Sequence, residues 1–159
     1  MMQRRLFLTL AAAAGSANAA PYVVDGAAAL RGTLLDLTLA GTRLIAVGER
    51  GHVLLSDDEG KTWRQARSVP TRTTLTCVHA TEPNTLWAAG HGGMILRSTD
   101  AGETWSIVTG NADGPDVLLC IRVEADGRGL AMGGFGIALA TADGGKTWTS
   151  IKGAPGGDD

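Results

Sequence analysis

The sequence predicts an all-β protein built from three copies of one four-stranded antiparallel blade. The first observation is self-similarity, because three segments of equal length align without a gap and close on Trp63, Trp105 and Trp148. The second is composition, since 23 glycines and only 4% aromatic residues favour short strands and turns over helices. The third is that no stretch after the N-terminal leader shows convincing helical periodicity.

Each copy carries the signals of four strands in the same order. It begins with an apolar stretch centred on Leu35, Cys77 or Cys120. The second strand ends in glycine and is predicted at 44–48, 86–90 and 129–133. A Gly-x-x-Gly hairpin then leads into the third strand, which is predicted at 53–56, 95–98 and 138–141. A fourth strand starts at a Thr-Trp pair. Four antiparallel strands in about 42 residues is the pitch of a β-propeller blade.

A turn of the form Ser/Thr-x-Asp-x-Gly-x-Thr-Trp, the Asp-box, closes each copy. The aspartate is predicted to accept backbone N–H groups, the glycine to supply a positive φ, the hydroxyl to close the loop and the tryptophan to pack between blades. Equivalent residues lie a blade apart, so we assign them a structural role, with no catalytic, cofactor-binding or metal site. The Asp-box residues are Ser56, Asp58, Gly60, Thr62, Trp63, Ser98, Asp100, Gly102, Thr104, Trp105, Thr141, Asp143, Gly145, Thr147 and Trp148.

The chain divides into four predicted regions. Residues 1–19 read as a signal peptide, with Arg4 and Arg5 before a short apolar run and an Ala-x-Ala cleavage site ending at Ala19. The arginine pair favours the twin-arginine export route, and a general secretory leader is the alternative. An N-terminal segment at 20–32 precedes the blades at 33–152, placed at about 33–67, 74–110 and 117–151 by the repeat period. A flexible tail is predicted at 153–159.

Charge and the reactive side chains exclude several function classes. A net charge of -2 gives no electrostatic reason to bind nucleic acid. Cys77 and Cys120 share one repeat position with Leu35, which favours buried thiols over a disulfide between neighbouring blades. The three histidines fall at different repeat positions without metal-ligand spacing.

Arg64, Arg67 and Arg72 form one basic cluster in a stretch without acidic residues. Two interpretations stay open for it. Charged side chains protect an exposed edge strand from pairing with another chain, and this favours a solvated edge. The alternative is a docking patch for an acidic partner.

The Asp-box turns, each preceded by a strand ending in glycine, carry a family resemblance. Together with the leader, the segments AVGERGHVLLSDDEGKTWRQA and AAGHGGMILRSTDAGETW resemble the photosystem II assembly and stability factors and their bacterial relatives. The resemblance covers residues 34–148, most of the chain after the leader. It implies an exported seven-bladed propeller, periplasmic or in the thylakoid lumen, that acts without catalysis and without cofactors as a protein-binding scaffold for assembling a membrane complex.

Blade number is where this chain departs from that family. Three blades cannot close a ring, because known propellers have at least about four. We therefore expect an open or incomplete propeller, either shortened relative to its relatives or completed by self-association of two or more copies.

Two further functions stay open. One is an Asp-box glycosidase such as a sialidase, although Tyr22 is the one tyrosine available as its nucleophile. The other is a non-functional remnant of a longer propeller.

Overall fold

A computed structural model describes residues 29–151 as three four-stranded antiparallel sheets. Blade 1 contains β1 (Leu34–Ala40), β2 (Arg43–Gly48), β3 (Val53–Ser56) and β4 (Arg64–Gln65). Blade 2 contains β5 (Leu75–Ala80), β6 (Leu86–Gly90), β7 (Ile95–Ser98) and β8 (Ser106–Thr109). Blade 3 contains β9 (Leu118–Val123), β10 (Gly129–Gly133), β11 (Ala138–Thr141) and β12 (Thr149–Ser150). The prediction of three blades in an incomplete propeller is confirmed.

The two glycines of each Gly-x-x-Gly hairpin are required for different reasons. Gly51 has a φ of 70°, in the left-handed region that favours glycine. Gly48 is extended, with a φ of −171°. A Cβ on Gly48 would lie 2.0 Å from the carbonyl oxygen of Thr33, so close backbone approach selects glycine there. The hairpin therefore has its positive φ at the second glycine.

The blades stack through two opposite faces of each sheet. We call the side that carries the Asp-box tryptophan the tryptophan face, and the side turned towards the next blade in sequence the forward face. The forward face of blade 1 presents Ile45 and Val47 to the tryptophan face of blade 2, which carries Trp105. The forward face of blade 2 presents Trp87 to the tryptophan face of blade 3 in the same way. Two apolar cores therefore lie between the blades, one at each junction.

Strand register corrects the alignment of the cysteine position. Cys77 pairs with Ala89 and Cys120 with Met132, whereas the equivalent partner in blade 1, Val47, pairs with Asp36. The β1–β2 turn is one residue shorter than its counterparts, so the ungapped alignment with Leu35 slips in β1. Leu35 lies at a register shift and is 49% exposed.

The expectation of buried thiols holds for one cysteine of two. Cys77 is 5% exposed at the junction of blades 2 and 3, where burial raises its pKa to about 11. Cys120 is exposed on the forward face of blade 3, so the expectation is wrong there. Both thiols are free. No blade among residues 29–151 covers that forward face, which explains the difference.

The predicted signal peptide, most of the N-terminal segment and the predicted tail lie outside residues 29–151. Within that range, no helix combines the length and the apolar character that a membrane crossing requires.

Candidate functional site

The Asp-box turn of blade 1 is held by its own side chains. The Ser56 hydroxyl donates to Asp58 Oδ1 at 2.9 Å and accepts the backbone N–H of Gly60 at 2.8 Å. Both oxygens of Asp58 then accept from Thr62, Oδ1 from its N–H at 2.8 Å and Oδ2 from its hydroxyl at 2.6 Å. The backbone donor lies four residues after the aspartate. Gly60 has the expected positive φ, 84°.

The same network recurs in blades 2 and 3. Asp100 accepts from the N–H and hydroxyl of Thr104 at 2.9 and 2.6 Å. Asp143 accepts from those of Thr147 at 3.0 and 2.7 Å. Hydrogen bonds that favour the charged form, led by the one from the Thr147 hydroxyl, hold the pKa of Asp143 well below its usual range. These carboxylates are occupied by turn formation and keep their charge, which suits neither a general acid nor a proton shuttle.

The three Asp-box tryptophans differ in their surroundings. Trp105 is 5% exposed and its Nε1–H donates to the carbonyl of Gly102 at 2.9 Å. Trp63 makes the equivalent bond to Gly60 at 3.0 Å, but packs on Ala29 and Leu54 at the outer side of blade 1. Trp148 packs edge-on against Trp87, with ring centroids 6.2 Å apart, and its Nε1 finds no acceptor within residues 29–151.

The predicted arginine cluster meets an acidic residue from the neighbouring blade. Glu103, in the Asp-box turn of blade 2, accepts from Arg43 at 3.0 Å and from Arg64 at 3.0 Å. Arg67 lies 3.9 Å from the same carboxylate. Arg64 and Arg67 lie at an edge strand with side chains 47% and 74% exposed, as the solvated-edge interpretation expects, and they also approach an acidic side chain of blade 2. A docking role for Arg64, Arg67 and Arg72 stays a prediction.

A polar cleft of about 150 Å³ opens between blades 2 and 3. Its lining includes Trp87 and Arg97 from blade 2 and Glu124 from blade 3. The Arg97 guanidinium stacks 5.3 Å from the centroid of the Trp87 ring. Trp87 Nε1 and Arg97 Nε are both buried and have no acceptor within residues 29–151. Two buried donors without acceptors are costly, and they give residues lining this cleft an unmet hydrogen-bonding capacity.

The histidines do not converge. Burial lowers the pKa of His52, which is 3% exposed in blade 1. His79 is half-buried in β5, with Nε2 3.1 Å from the carbonyl oxygen of Val123. Across residues 29–151, no group of three histidine, cysteine, aspartate or glutamate side chains has the arrangement of a metal site.

No family model matches the sequence, and no curated protein is significantly similar to it. Solved structures do match. A structure of YCF48 bound to D1 peptide superposes with a TM-score of 0.63 over 75% of this chain, at 24% sequence identity. YCF48 from Cyanidioschyzon merolae gives 0.61 over 78% of the chain, at 22% identity. The fold is a β-propeller.

This chain is also similar in structure to propellers that are enzymes. An ancestral GH74 enzyme matches with a TM-score of 0.62 over 76% of this chain, at 16% identity. The chain covers 40% and 41% of the two YCF48 chains and 18% of the GH74 enzyme. Identities below 25% establish the shared fold alone. The propeller described by residues 29–151 therefore corresponds to an arc of these longer proteins.

The site residues that sequence reasoning missed come from two places. Trp87 stands at the repeat position of Ile45 and Leu130, which the alignment marks only as apolar. Glu103 is one of the variable residues inside the Asp-box and gives no motif signal.

Proposed function

We propose that this chain is a non-enzymatic, protein-binding propeller that uses the cleft between blades 2 and 3 to hold an extended segment of its partner. The observation that carries the proposal is the pair of buried donors, Trp87 Nε1 and Arg97 Nε, without acceptors within residues 29–151. A peptide carbonyl has two lone pairs and can accept from both an indole and a guanidinium donor. The likeness to a propeller bound to a peptide supports this choice.

The partner class follows from the resemblance in the Asp-box segments to photosystem II assembly and stability factors. We propose an exported scaffold, in the periplasm or the thylakoid lumen, that binds a membrane protein or its precursor during complex assembly. The Asp-box carboxylates support a non-enzymatic role, because their lone pairs are committed to turn N–H and hydroxyl groups. No cofactor is required for such binding.

An array of extended peptides from the exported loops of membrane proteins tests the proposal. We expect the purified chain to bind a subset of them, and Trp87→Phe to weaken that binding by about tenfold, because an aromatic ring stays in place and the buried indole donor is lost. Trp63→Phe removes an indole N–H far from the cleft and is the matched control. Equal binding by wild type and Trp87→Phe would contradict the assignment of the cleft.

The non-enzymatic part of the proposal needs its own measurement. The likeness to GH74 enzymes, which include a xyloglucanase from Xanthomonas campestris, makes xyloglucan one substrate to test, and sialosides are the other because sialidases carry Asp-boxes. Product formation above the background of a heat-inactivated sample on either substrate would overturn it. We expect none.

A further inference from the structure

Exposed apolar side chains are concentrated on the two terminal blades. Of the 11 large hydrophobic residues exposed within residues 29–151, Ile107 is the one that belongs to blade 2. The other ten belong to blades 1 and 3 or directly flank them: Leu30, Leu34, Leu35, Leu37, Leu39, Leu119, Leu130, Met132, Phe135 and Ile151. A concentration of this kind marks an association surface.

Blade 3 repeats the forward face that the first two blades bury. Leu130 stands where blade 1 has Ile45 and is 47% exposed, whereas Ile45 is 0% exposed. Met132 stands where blade 1 has Val47 and is 38% exposed against 0%. Side chains at these positions are therefore suited to packing against a tryptophan face.

Blade 1 presents the complementary tryptophan face, where Ala29 packs beside Trp63 but no blade of residues 29–151 lies against it. By strand register, Leu34 corresponds to Leu75, and Leu37 to Val78. Leu34 and Leu37 are 42% and 53% exposed, whereas Leu75 and Val78 are 0% and 7% exposed in the covered blade 2. A shallow groove lined by Leu34, Leu37 and Trp63 runs along this face.

We propose that a second copy of this chain covers both faces, with the forward face of blade 3 docked on the tryptophan face of blade 1 of the partner copy. Each such contact joins the same two kinds of face that meet at the two junctions inside the chain. Two copies related by a two-fold axis make two identical contacts and a ring of six blades, within the range of about four to eight known for propellers. The ring leaves neither lateral face exposed.

The polar groups of the new contact differ from those of the first junction. Lys61 occupies the Asp-box position of Glu103, and Arg128 occupies the strand position of Arg43. Arg128 already pairs with Asp126 at 2.7 Å, and Lys61 lies 3.9 Å from Glu59. Each cation of the contact therefore has a carboxylate of its own chain nearby, and apolar packing supplies the stability of the contact.

Sedimentation velocity and light scattering on the purified chain test the oligomer. We expect the mass of two chains, with no growth into larger species as concentration rises. Met132→Arg and Leu37→Arg each place a charge on one of the two faces and should give monomers. These positions are exposed within one chain, so the variants should still fold, which a thermal melt checks. Ile107→Arg, with a wild-type side chain 48% exposed on blade 2, is the matched control and should stay dimeric.

Mixing the two monomeric variants distinguishes this arrangement from packing of like faces. Met132→Arg keeps an intact tryptophan face on blade 1, and Leu37→Arg keeps an intact forward face on blade 3. One native contact can form between them, so the mixture should contain a heterodimer that neither variant forms alone. Absence of a heterodimer would overturn the head-to-tail arrangement.

Cys120 provides a second, independent measurement. In the ring it lies at a covered position, as Cys77 does at the internal junction. We expect maleimide labelling of Cys120 to be at least about tenfold slower in the wild-type dimer than in Met132→Arg, with Cys77 as the unreactive internal control. A wild-type chain that is monomeric at all concentrations, with Cys120 labelled as fast as in Met132→Arg, would overturn the proposal. A continuous ladder of larger oligomers would also overturn it.

Discussion

The junction between blades 1 and 2 and the junction between blades 2 and 3 use equivalent positions for different chemistry. At the first, Ile45 and Leu55 pack beside Gly102, and Arg43 reaches across to Glu103. At the second, Trp87 occupies the position of Ile45 and packs beside Gly145, and Lys146 takes the place of Glu103. The Asp-box glycine is common to both junctions. Its missing side chain is what allows one blade geometry to accept either an isoleucine or a tryptophan opposite it.

The two junctions should differ most in the free energy of unfolding that is lost when their Asp-box tryptophan is removed. Trp105→Ala is expected to lower the free energy of unfolding by about 3–5 kcal/mol, because a buried indole and its bond to Gly102 are lost. Trp148→Ala should cost less, since Trp148 is half-buried and its N–H has no acceptor within residues 29–151 to lose. Urea denaturation at one protein concentration measures both. An equal or larger loss for Trp148→Ala would reverse this ranking.

The glycine contacts offer a smaller and better-controlled comparison. Gly144 and Gly145 have φ values of 72° and 75°, so alanine meets the same backbone strain at both. A Cβ at Gly145 would lie 2.1 Å from the Trp87 ring, whereas one at Gly144 meets nothing within 4 Å. Gly145→Ala should therefore be less stable than Gly144→Ala by about 1–3 kcal/mol, the usual cost of overpacking.

Gly102→Ala extends that comparison to the first junction. Its nearest contact would be the flexible end of Leu55 at 3.1 Å. We expect Gly102→Ala to lower the free energy of unfolding by more than Gly144→Ala and by less than Gly145→Ala in the same denaturation experiment. Identical losses for all three variants would show that backbone strain, and not the opposing blade, selects glycine.

Removing the ion pairs of the first junction should have the smallest effect on the free energy of unfolding. Glu103→Gln is expected to cost about 1–2 kcal/mol near neutral pH, because charge-assisted bonds to Arg64 and Arg43 become neutral ones. Those bonds, led by the one from Arg64, hold the pKa of Glu103 below its usual range. Their contribution is complete above the unfolded-state pKa of about 4.3 and is lost as pH falls through the folded value.

The difference in unfolding free energy between wild type and Glu103→Gln should therefore shrink as the pH falls below about 4. Lys146→Gln, at the equivalent position of blade 3, is the control and should show no such pH dependence. A Glu103→Gln difference that stays constant down to pH about 2 would show that the carboxylate charge contributes nothing to the junction.

Periodicity in the sequence was sufficient to predict the second and third strands of every blade. The expected 53–56, 95–98 and 138–141 are the observed third strands, because the adjoining Gly-x-x-Gly and Asp-box turns fix both ends. The first strands were harder, since the shorter turn of blade 1 shifts Asp36, and not Leu35, into the position of Cys77. Asp36 there accepts the backbone N–H of Val78 at 2.9 Å.

The candidate cleft escaped sequence reasoning for a physical reason. Trp87 and Arg97 belong to blade 2, and their importance depends on which groups of blade 3 stand opposite. A repeat alignment gives equivalent positions but no information on contacts between unlike positions of neighbouring blades. The same limitation hid the approach of Glu103 to Arg64.

Every sheet of this molecule takes its four strands from one uninterrupted stretch of chain, such as residues 34–65 for blade 1. A complete set of backbone ladders is therefore available as soon as that stretch has been synthesised, without any later segment. Local pairing of this kind favours rapid folding, because little chain entropy is lost in closing short loops. Hydrogen bonds between blades then join the finished sheets. One of them runs from the backbone N–H of Trp105 to the carbonyl oxygen of Ser68, at 3.0 Å. We expect the molecule to grow blade by blade from its N-terminal end as it leaves the ribosome.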